Sequence, residues 1–126
     1  IETSYFSTKK YHQYPQYHTS DDNLEFISSE QLRKSSKIYL YVIFILENNA
    51  FYVAKSRGEP MLSKIGLWTI KNSGGKVPLG FKATDILVNC DGENDLLSIS
   101  LKVKQPFFKV LEYITVFEKN GLVEKL

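Results

Sequence analysis

The stretch richest in chemically competent side chains runs from residue 14 to residue 23. It reads Tyr-Pro-Gln-Tyr-His-Thr-Ser-Asp-Asp-Asn, which places the imidazole of His18 among hydroxyls and carboxylates. A neutral imidazole is a good zinc ligand, and a nearby carboxylate or carbonyl can fix its tautomer. The same residues also suit a plain hydrogen-bonded loop, because Asp21 and Asp22 are common turn and cap residues. The spacing alone leaves both interpretations open.

The supply of further metal ligands in the chain is small. The sequence contains two histidines and one cysteine. Zinc catalysis needs several ligands to hold the metal and an open position for the water that it activates. His12 lies six residues before His18 in a Tyr-His-Gln-Tyr setting, and we interpret it as an exposed loop residue rather than a second ligand. One histidine cannot hold a catalytic zinc by itself.

The helix that follows this loop is the best-defined element of the sequence. Ser28 and Gln31 fit a capping box, in which each side chain bonds to the other residue's backbone amide. The chain then runs without glycine or proline to Asn48 and Asn49, which predicts a helix ending there. Residues 38–46 are apolar on almost every side, so we expect them to be buried between other elements. Their β-branched side chains make a buried strand the alternative, but the cap and the length favour a helix.

The segments on either side of this helix have different characters. Residues 1–23 are aromatic and lack a helical period, so we expect an extended entry and a loop that packs onto a body. Residues 50–80 hold five of the seven glycines and are interpreted as a connector. Within this connector, residues 51–53 and 66–70 predict short strands separated by turns.

Residues 81–126 predict three short helices and a final strand. The first helix is expected to stop at Asp91 and Gly92, and the third opens at Pro106, close to its first turn. We expect residues 96–101 to form the second helix and residues 122–124 the strand. The third helix has apolar residues on one face, at Phe107, Val110, Leu111, Ile114 and Phe117. This order is the outline of a winged helix, whose core we expect to hold Phe107, Phe108 and Phe117.

The composition excludes several classes of protein. The chain has 126 residues, of which 43% are hydrophobic and 24% charged, with a net charge of +2, so wholesale disorder and collagen-like structure are excluded. The lone Cys90 cannot form an internal disulfide, which predicts a reducing, cytoplasmic location. The longest apolar run is nine residues, whereas a membrane span needs about 20. The chain begins with Ile1 rather than Met, from which we expect it to be a piece of a longer protein.

Three stretches of the sequence follow, in the same order along the chain, the patterns of one protein family. Residues 14–26 match the pattern Tyr-Pro-Glu-Tyr-His-Thr-Ser-x-Asp-Asn-Leu-Asp-Phe, and residues 58–68 match Cys-Glu-Pro-Gln-Leu-Gly-Lys-Arg-Gly-Leu-Tyr. Together with the winged-helix tail at residues 83–126, they resemble a bacterial family of aminopeptidase-like proteins. That family is related to the co-catalytic zinc aminopeptidases and often lies in polysaccharide-biosynthesis gene neighbourhoods. The departures from these patterns include Gln16 for Glu, Gly58 for Cys and Ile65 for Arg.

The resemblance implies an α+β chain made of the C-terminal end of an α/β zinc-peptidase-like domain and a small winged-helix domain. Residues 1–49 would end the catalytic domain, residues 50–80 would connect, and residues 81–126 would form the winged-helix tail. The implied activity is that of a zinc aminopeptidase-like hydrolase acting on a small peptide-like substrate. Because most of the zinc ligands would lie upstream, the chain alone is expected to be inactive. The resemblance leaves open whether the chain is part of an active enzyme.

The resemblance also assigns individual residues. His18 matches the last metal-ligating histidine of such enzymes, whereas the other zinc ligands and the glutamate base have no counterpart here, so this chain would contain no catalytic residue. Tyr17 would stand beside the metal and could face the substrate, while Asp22 and Asn23 would brace the loop. The replacement at Gln16 removes a carboxylate near the expected metal and leaves the ligand itself in place.

The charge of the tail weighs against a nucleic-acid partner. Residues 81–126 contain six lysines, no arginine and seven acidic residues, whereas phosphate contacts need positive charge. The third helix offers only Lys109 and Lys119 against Glu112 and Glu118. Two alternatives to the enzyme interpretation remain. One is a non-catalytic winged-helix module that binds a protein partner, and the other is a piece that completes a fold or an oligomer.

Overall fold

The computed structural model describes residues 7, 9–10, 12–56, 58–65 and 79–126, which fall into two units. The first unit is Ile1–Phe44 and the second is Ile45–Leu126. The helices are α1 (Ser29–Asn48), α2 (Leu79–Val88), α3 (Leu96–Lys102) and α4 (Phe107–Lys119). The strands are β1 (Phe51–Ala54), β2 (Asp91–Asp95) and β3 (Val123–Lys125), and a short 3-10 helix covers Leu62–Ile65. The predicted strand at residues 66–70 lies outside the described residues.

Helix α1 begins as the sequence predicts. The hydroxyl of Ser28 accepts a hydrogen bond from the backbone N–H of Gln31 at 3.1 Å, which satisfies one of the free amides of the first turn. Glu30 and Lys34, one turn apart on the exposed side, form an ion pair at 2.7 Å. The capped helix and its end at Asn48 are therefore confirmed.

The predicted burial of residues 38–46, the apolar half of α1, is wrong for all of them except Ile45. Residues 38–44 are between 39% and 66% exposed and Leu46 is 71% exposed, whereas Ile45 is partly buried and packs against the core of the second unit. In the described part of the first unit α1 is the one helix or strand, and turns make up the rest. Residues that have no second element to pack against stay in contact with water, whatever their hydrophobicity. None of the described helices is long and apolar enough to cross a membrane.

The second unit is built on a three-stranded antiparallel sheet in the order β2-β1-β3. Strand β1 lies in the centre, pairing Tyr52 with Lys125 on one side and Phe51 with Asp95 on the other. The predicted strands β1 and β3 are confirmed. Strand β2 was not predicted, because its sequence Asp-Gly-Glu-Asn-Asp has low strand propensity and reads as a turn. Its conformation comes from pairing with β1, a partner about 40 residues away in the sequence.

The core of the second unit lies between this sheet and helices α2, α3 and α4. Its largest fully buried side chains come from all three helices, and they are Phe117, Ile86, Leu96, Ile99, Ile114 and Val110. The predicted apolar face of α4 is confirmed, with Tyr113 added and Leu111 only partly buried. The prediction for Phe108 is wrong, because that ring is 57% exposed. Phe107 and Phe108 are adjacent on the helix, so one of them faces the core and the other points away.

A polar cluster joins the residue after α1 to the start of α3. Asp95 caps α3 by accepting a hydrogen bond from the backbone N–H of Ser98 at 2.7 Å, and it also accepts one from the Asn49 amide at 2.8 Å. The Asn49 carbonyl oxygen in turn accepts the backbone N–H of Leu97 at 2.9 Å. The hydrogen bonds from Ser98 and Asn49 lower the pKa of Asp95, because they favour its charged form.

Replacing Asp95 tests this cluster. We expect Asp95→Ala to lower the free energy of unfolding by about 1–2 kcal/mol at neutral pH, the usual effect of losing a helix cap. Because the folded-state pKa is lowered, the carboxylate's contribution is complete above its unfolded pKa and is lost as pH falls through the folded value. Asp95→Asn should therefore show a shallower loss of stability in acid. Urea unfolding from neutral to acidic pH measures both effects. The exposed Glu93→Ala is the control, and an equal loss there would contradict the cluster's role.

Candidate metal-ligand loop

Residues 12–26 of the first unit form a chain of consecutive turns. Backbone N–H groups donate to carbonyls three residues earlier, from Tyr17 to Tyr14 at 3.3 Å and from Thr19 to Gln16 at 3.1 Å. The pattern continues with the N–H of Asp22, which donates to the Thr19 carbonyl at 3.2 Å. These local bonds satisfy the backbone without a sheet or a helix, as the abundance of turn-forming residues predicts.

Two side chains fix the segment that follows His18. The Thr19 hydroxyl donates to the carbonyl of Gln16 at 2.9 Å and accepts the N–H of Asp21 at 3.3 Å. The Asn23 amide donates to the Ser20 carbonyl at 3.4 Å, while its oxygen accepts the N–H of Glu25 at 2.9 Å. Asn23 therefore spans the turn on both sides. The roles assigned to Asp22 and Asn23 at a metal stay predictions.

His18 itself adopts a backbone conformation that side chains usually avoid. Its φ is +59°, in the left-handed region, and that of His12 is +63°. For a residue other than glycine this conformation costs on the order of 1 kcal/mol, and such strain is common at functional sites. The adjacent turns hold His18 in this conformation with its side chain exposed. Histidine is one of the residue types that tolerate the left-handed region best.

Aromatic rings surround the loop histidines. The ring of Tyr17 makes edge contacts with both imidazoles, at 4.2 Å from the centroid of His18 and 4.9 Å from that of His12. Tyr14 lies edge-on to Tyr17 at 5.7 Å and stacks on Phe26 at 5.8 Å. The structure thus brings His12 next to the predicted site, whereas the sequence indicated only a separate loop residue. In the sequence, Tyr17 lies five residues after His12 and directly before His18. That spacing is the signal that could have placed His12 beside the site.

The described residues do not by themselves fit a zinc ion. Across residues 12–56, 58–65 and 79–126 there is no group of three His, Cys, Asp or Glu side chains able to hold a metal. Asp21 and Asp22 therefore do not converge on His18, although they follow it closely in the sequence. A zinc site needs at least three protein ligands, and any site involving His18 would have to be completed by residues from outside this part of the chain.

The exposed side of α4 in the second unit is of mixed charge. The ammonium of Lys109 is hydrogen-bonded to the carboxylate of Glu112 and lies 6.0 Å from the centroid of the Tyr113 ring. The bond to Glu112 raises the pKa of Lys109. Since Lys109 already has a carboxylate partner, binding phosphate there would require breaking that ion pair. The exposed Phe108 and Glu118 add apolar and negative surface to the same helix.

A cavity of about 390 Å³ lies in the second unit between the end of β1 and helix α2. Apolar and polar residues line it, among them Ala54, Gly58, Glu59, Thr84, Leu87 and Cys90. Cys90 is buried, and its thiol lies 3.3 Å from the carbonyl oxygen of Ile86. Burial, assisted by the nearby Asp91, raises the pKa of this thiol to about 12. A buried thiol with a raised pKa is a poor nucleophile, because the thiolate is the reactive form.

Both parts of the chain match known families. Residues 1–49 match a family described as "Domain of unknown function (DUF4910)", and residues 50–125 match one described as "winged helix-turn-helix". The second match covers more than half of the chain. Its range begins one residue before β1, which is consistent with β1 being the central strand of the sheet.

A relative and a solved structure, both from Clostridium acetobutylicum, extend these matches. The relative is named "Putative polysaccharide biosynthesis protein with aminopeptidase-like domain" and is 36% identical over 96 residues, which are 75% of this chain and 22% of the relative. The structure is described as a crystal structure of a "putative peptidase". It superposes with a TM-score of 0.75 and 29% identity over 91% of this chain and 25% of the solved chain.

These matches confirm two predictions made from the sequence. The chain resembles aminopeptidase-like proteins that carry a winged helix, and its fold is α+β with a winged-helix domain. The chain spans about a quarter or less of the length of both Clostridium proteins. The zinc-ligand role of His18 and the roles of Tyr17, Asp22 and Asn23 stay predictions.

The environment of Cys90 leads to a prediction for its reactivity. Because burial raises its pKa to about 12, the native thiol is ionised far less at pH 8 than the thiol of the unfolded chain. We expect a chromogenic disulfide reagent to modify the native chain correspondingly slowly, and the guanidinium-unfolded chain at once with one thiol per chain. Equal rates in both states would contradict the burial of Cys90.

Proposed function

Since this chain belongs to the winged helix-turn-helix family through residues 50–125, and also resembles aminopeptidase-like proteins, we propose that it is the C-terminal portion of a zinc aminopeptidase-like hydrolase. The superposition on a quarter of a peptidase chain at 29% identity is the observation that carries this proposal. In it, residues 1–49 are the C-terminal end of the catalytic domain, and residues 50–125, the range of the winged-helix match, contain its tail.

His18 is the residue through which this portion would contribute to the metal. It is exposed, its strained backbone is held by the turns at Thr19 and Asn23, and Tyr17 contacts its ring. A single ligand cannot hold zinc, so the remaining ligands and the general base would come from the preceding part of the longer protein. The chain on its own is therefore inactive in this proposal.

The name of the relative suggests a setting for the activity. A protein named for polysaccharide biosynthesis and an aminopeptidase-like domain is compatible with a small substrate that carries a peptide-like amide. Tyr17 is the residue of this chain best placed to contact such a substrate, because it lies directly beside His18 with its ring at 4.2 Å. The support for this substrate class is the resemblance, and the support for Tyr17 is its position.

The zinc content of two polypeptides tests the proposal. We expect the longer protein to bind near-stoichiometric zinc, His18→Ala to lose most of it, and the 126-residue chain alone to hold little because it lacks co-ligands. Plasma mass spectrometry after removal of free metal measures the content.

His12→Ala is the matched control, since His12 contacts the same Tyr17 ring and shares the left-handed backbone. Equal zinc loss in both variants would mean that loop structure, not ligation by His18, holds the metal. Full zinc retention in His18→Ala would exclude the ligand role.

A second candidate function concerns the winged-helix tail, which we propose to be a protein-contact module rather than a DNA-binding domain. The observation that favours this function is the surface of α4, where Lys109 is paired with Glu112 and Phe108 is exposed. DNA affinity depends mainly on positive charge facing the phosphates. Exposed aromatic side chains are instead enriched at protein interfaces.

DNA titration tests this second candidate. We expect no change in the anisotropy of a short labelled duplex at protein concentrations up to about 10⁻⁴ M at physiological salt, the weak limit of non-specific binding. The charge-reversed variant Glu112→Lys with Glu118→Lys is the positive control and should gain salt-sensitive binding. Salt-sensitive binding by the unaltered chain, abolished by Lys109→Glu with Lys119→Glu, would contradict the proposal.

A further inference from the structure

The apolar part of α1 is exposed in a way that ordinary surface helices are not. Seven consecutive residues, from residue 38 to residue 44, are apolar or aromatic, and each exposes at least 39% of its side-chain surface. A contiguous exposed apolar surface on a soluble protein marks an interface or a part of an unfinished core. The first turns of the same helix are different, since they hold the exposed Glu30 and Lys34 ion pair.

The apolar residues surround the helix axis rather than forming a stripe. Successive helical residues are about 100° apart, so Leu40 and Val42 project on nearly opposite sides, separated by about 160°. Both are exposed, at 66% and 47%. A helix that packs against one partner needs an apolar stripe on one side only, whereas a helix that is apolar all round belongs inside a domain.

This geometry decides between two occupants of the apolar surface. A second copy of the chain, pairing helix against helix, would cover one side of α1 and leave the opposite side in water. The interior of a domain covers every side. The relatives of this chain are long enough to supply such a domain, because the chain corresponds to only 22% of one and 25% of the other.

We propose that residues 38–44 of α1 are enclosed on opposite sides by the preceding domain of the same polypeptide, whose core they complete. The enclosing surface is apolar, with Leu40 contacting one part of it and Val42 another. The polar first turns of α1 stay in water at the domain's edge. This inference rests on the proposed function only in requiring a longer polypeptide, and it does not depend on zinc or on His18.

The experiment uses the protein as its native host makes it, isolated through an affinity tag at the C-terminus of that polypeptide and sized by intact mass. Two variants place a charge on opposite sides of α1, Leu40→Glu and Val42→Glu. Leu101→Glu, at an exposed position of α3, is the matched control. Thermal unfolding of each protein is measured by scanning fluorimetry. Leu40→Ala and Val42→Ala are measured beside them, so that a charged variant that fails to fold still has an interpretable counterpart.

We expect the native species to be longer than 126 residues. In it, each of the two glutamate substitutions in α1 should lower the unfolding midpoint by roughly 10 °C or more, and each alanine substitution should lower it less. The control substitution should leave the midpoint unchanged. A drop on one side only would indicate a single-sided partner such as a second copy and would overturn the proposal. The proposal would also be overturned if neither charge lowered the unfolding midpoint, if the control lowered it equally, or if the native species had only 126 residues. If the unsubstituted protein binds no zinc while both α1 charges still lower the unfolding midpoint, that result counts against the proposed function alone.

Discussion

The second unit depends on one central strand. Strand β1 pairs with β2 on one side and β3 on the other, so without it neither edge strand has a partner. It also buries Tyr52 in the core that α2, α3 and α4 share. Because β1 precedes the helices in the sequence, a fragment beginning at residue 81 would lack the centre of its sheet. The polar cluster of Asn49 and Asp95 adds to this constraint, since it attaches the chain two residues before β1 to the first turn of α3.

The first unit has the opposite character. The backbone bonds of its loop, and those of the Thr19 and Asn23 side chains, reach two or three residues along the chain, and its helix exposes side chains that would normally form a core. Local hydrogen bonds can set the backbone of His18 in a left-handed conformation, but among the described residues they assemble no group of three metal-ligating side chains. In the proposals made above, the strained, exposed histidine and the apolar helix both act together with a further part of a longer protein.

The winged-helix fold does not decide what the tail binds. Folds of this kind are reused for unrelated functions, so the surface has to be examined residue by residue. On α4 the ion pair between Lys109 and Glu112 and the exposed ring of Phe108 replace the row of free cations that a DNA-reading helix presents. Under the two proposals, both halves of the chain would contact other protein surfaces, and the surfaces differ in kind.

The sequence by itself determined the elements whose causes are local. The Ser28 cap, the end of α1, the apolar face of α4 and the loop that carries His18 follow from turn residues, caps and periodicity. Only the tertiary structure decided β2, the contact of His12 with Tyr17, the exposure of Phe108 and the link between Asn49 and Asp95. Each of these depends on where a partner lies in space, and propensity carries no such information. The burial expected for residues 38–46 failed, except at Ile45, for the same reason. Hydrophobicity indicates that a side chain favours burial, but not whether this chain contains the surface that would bury it.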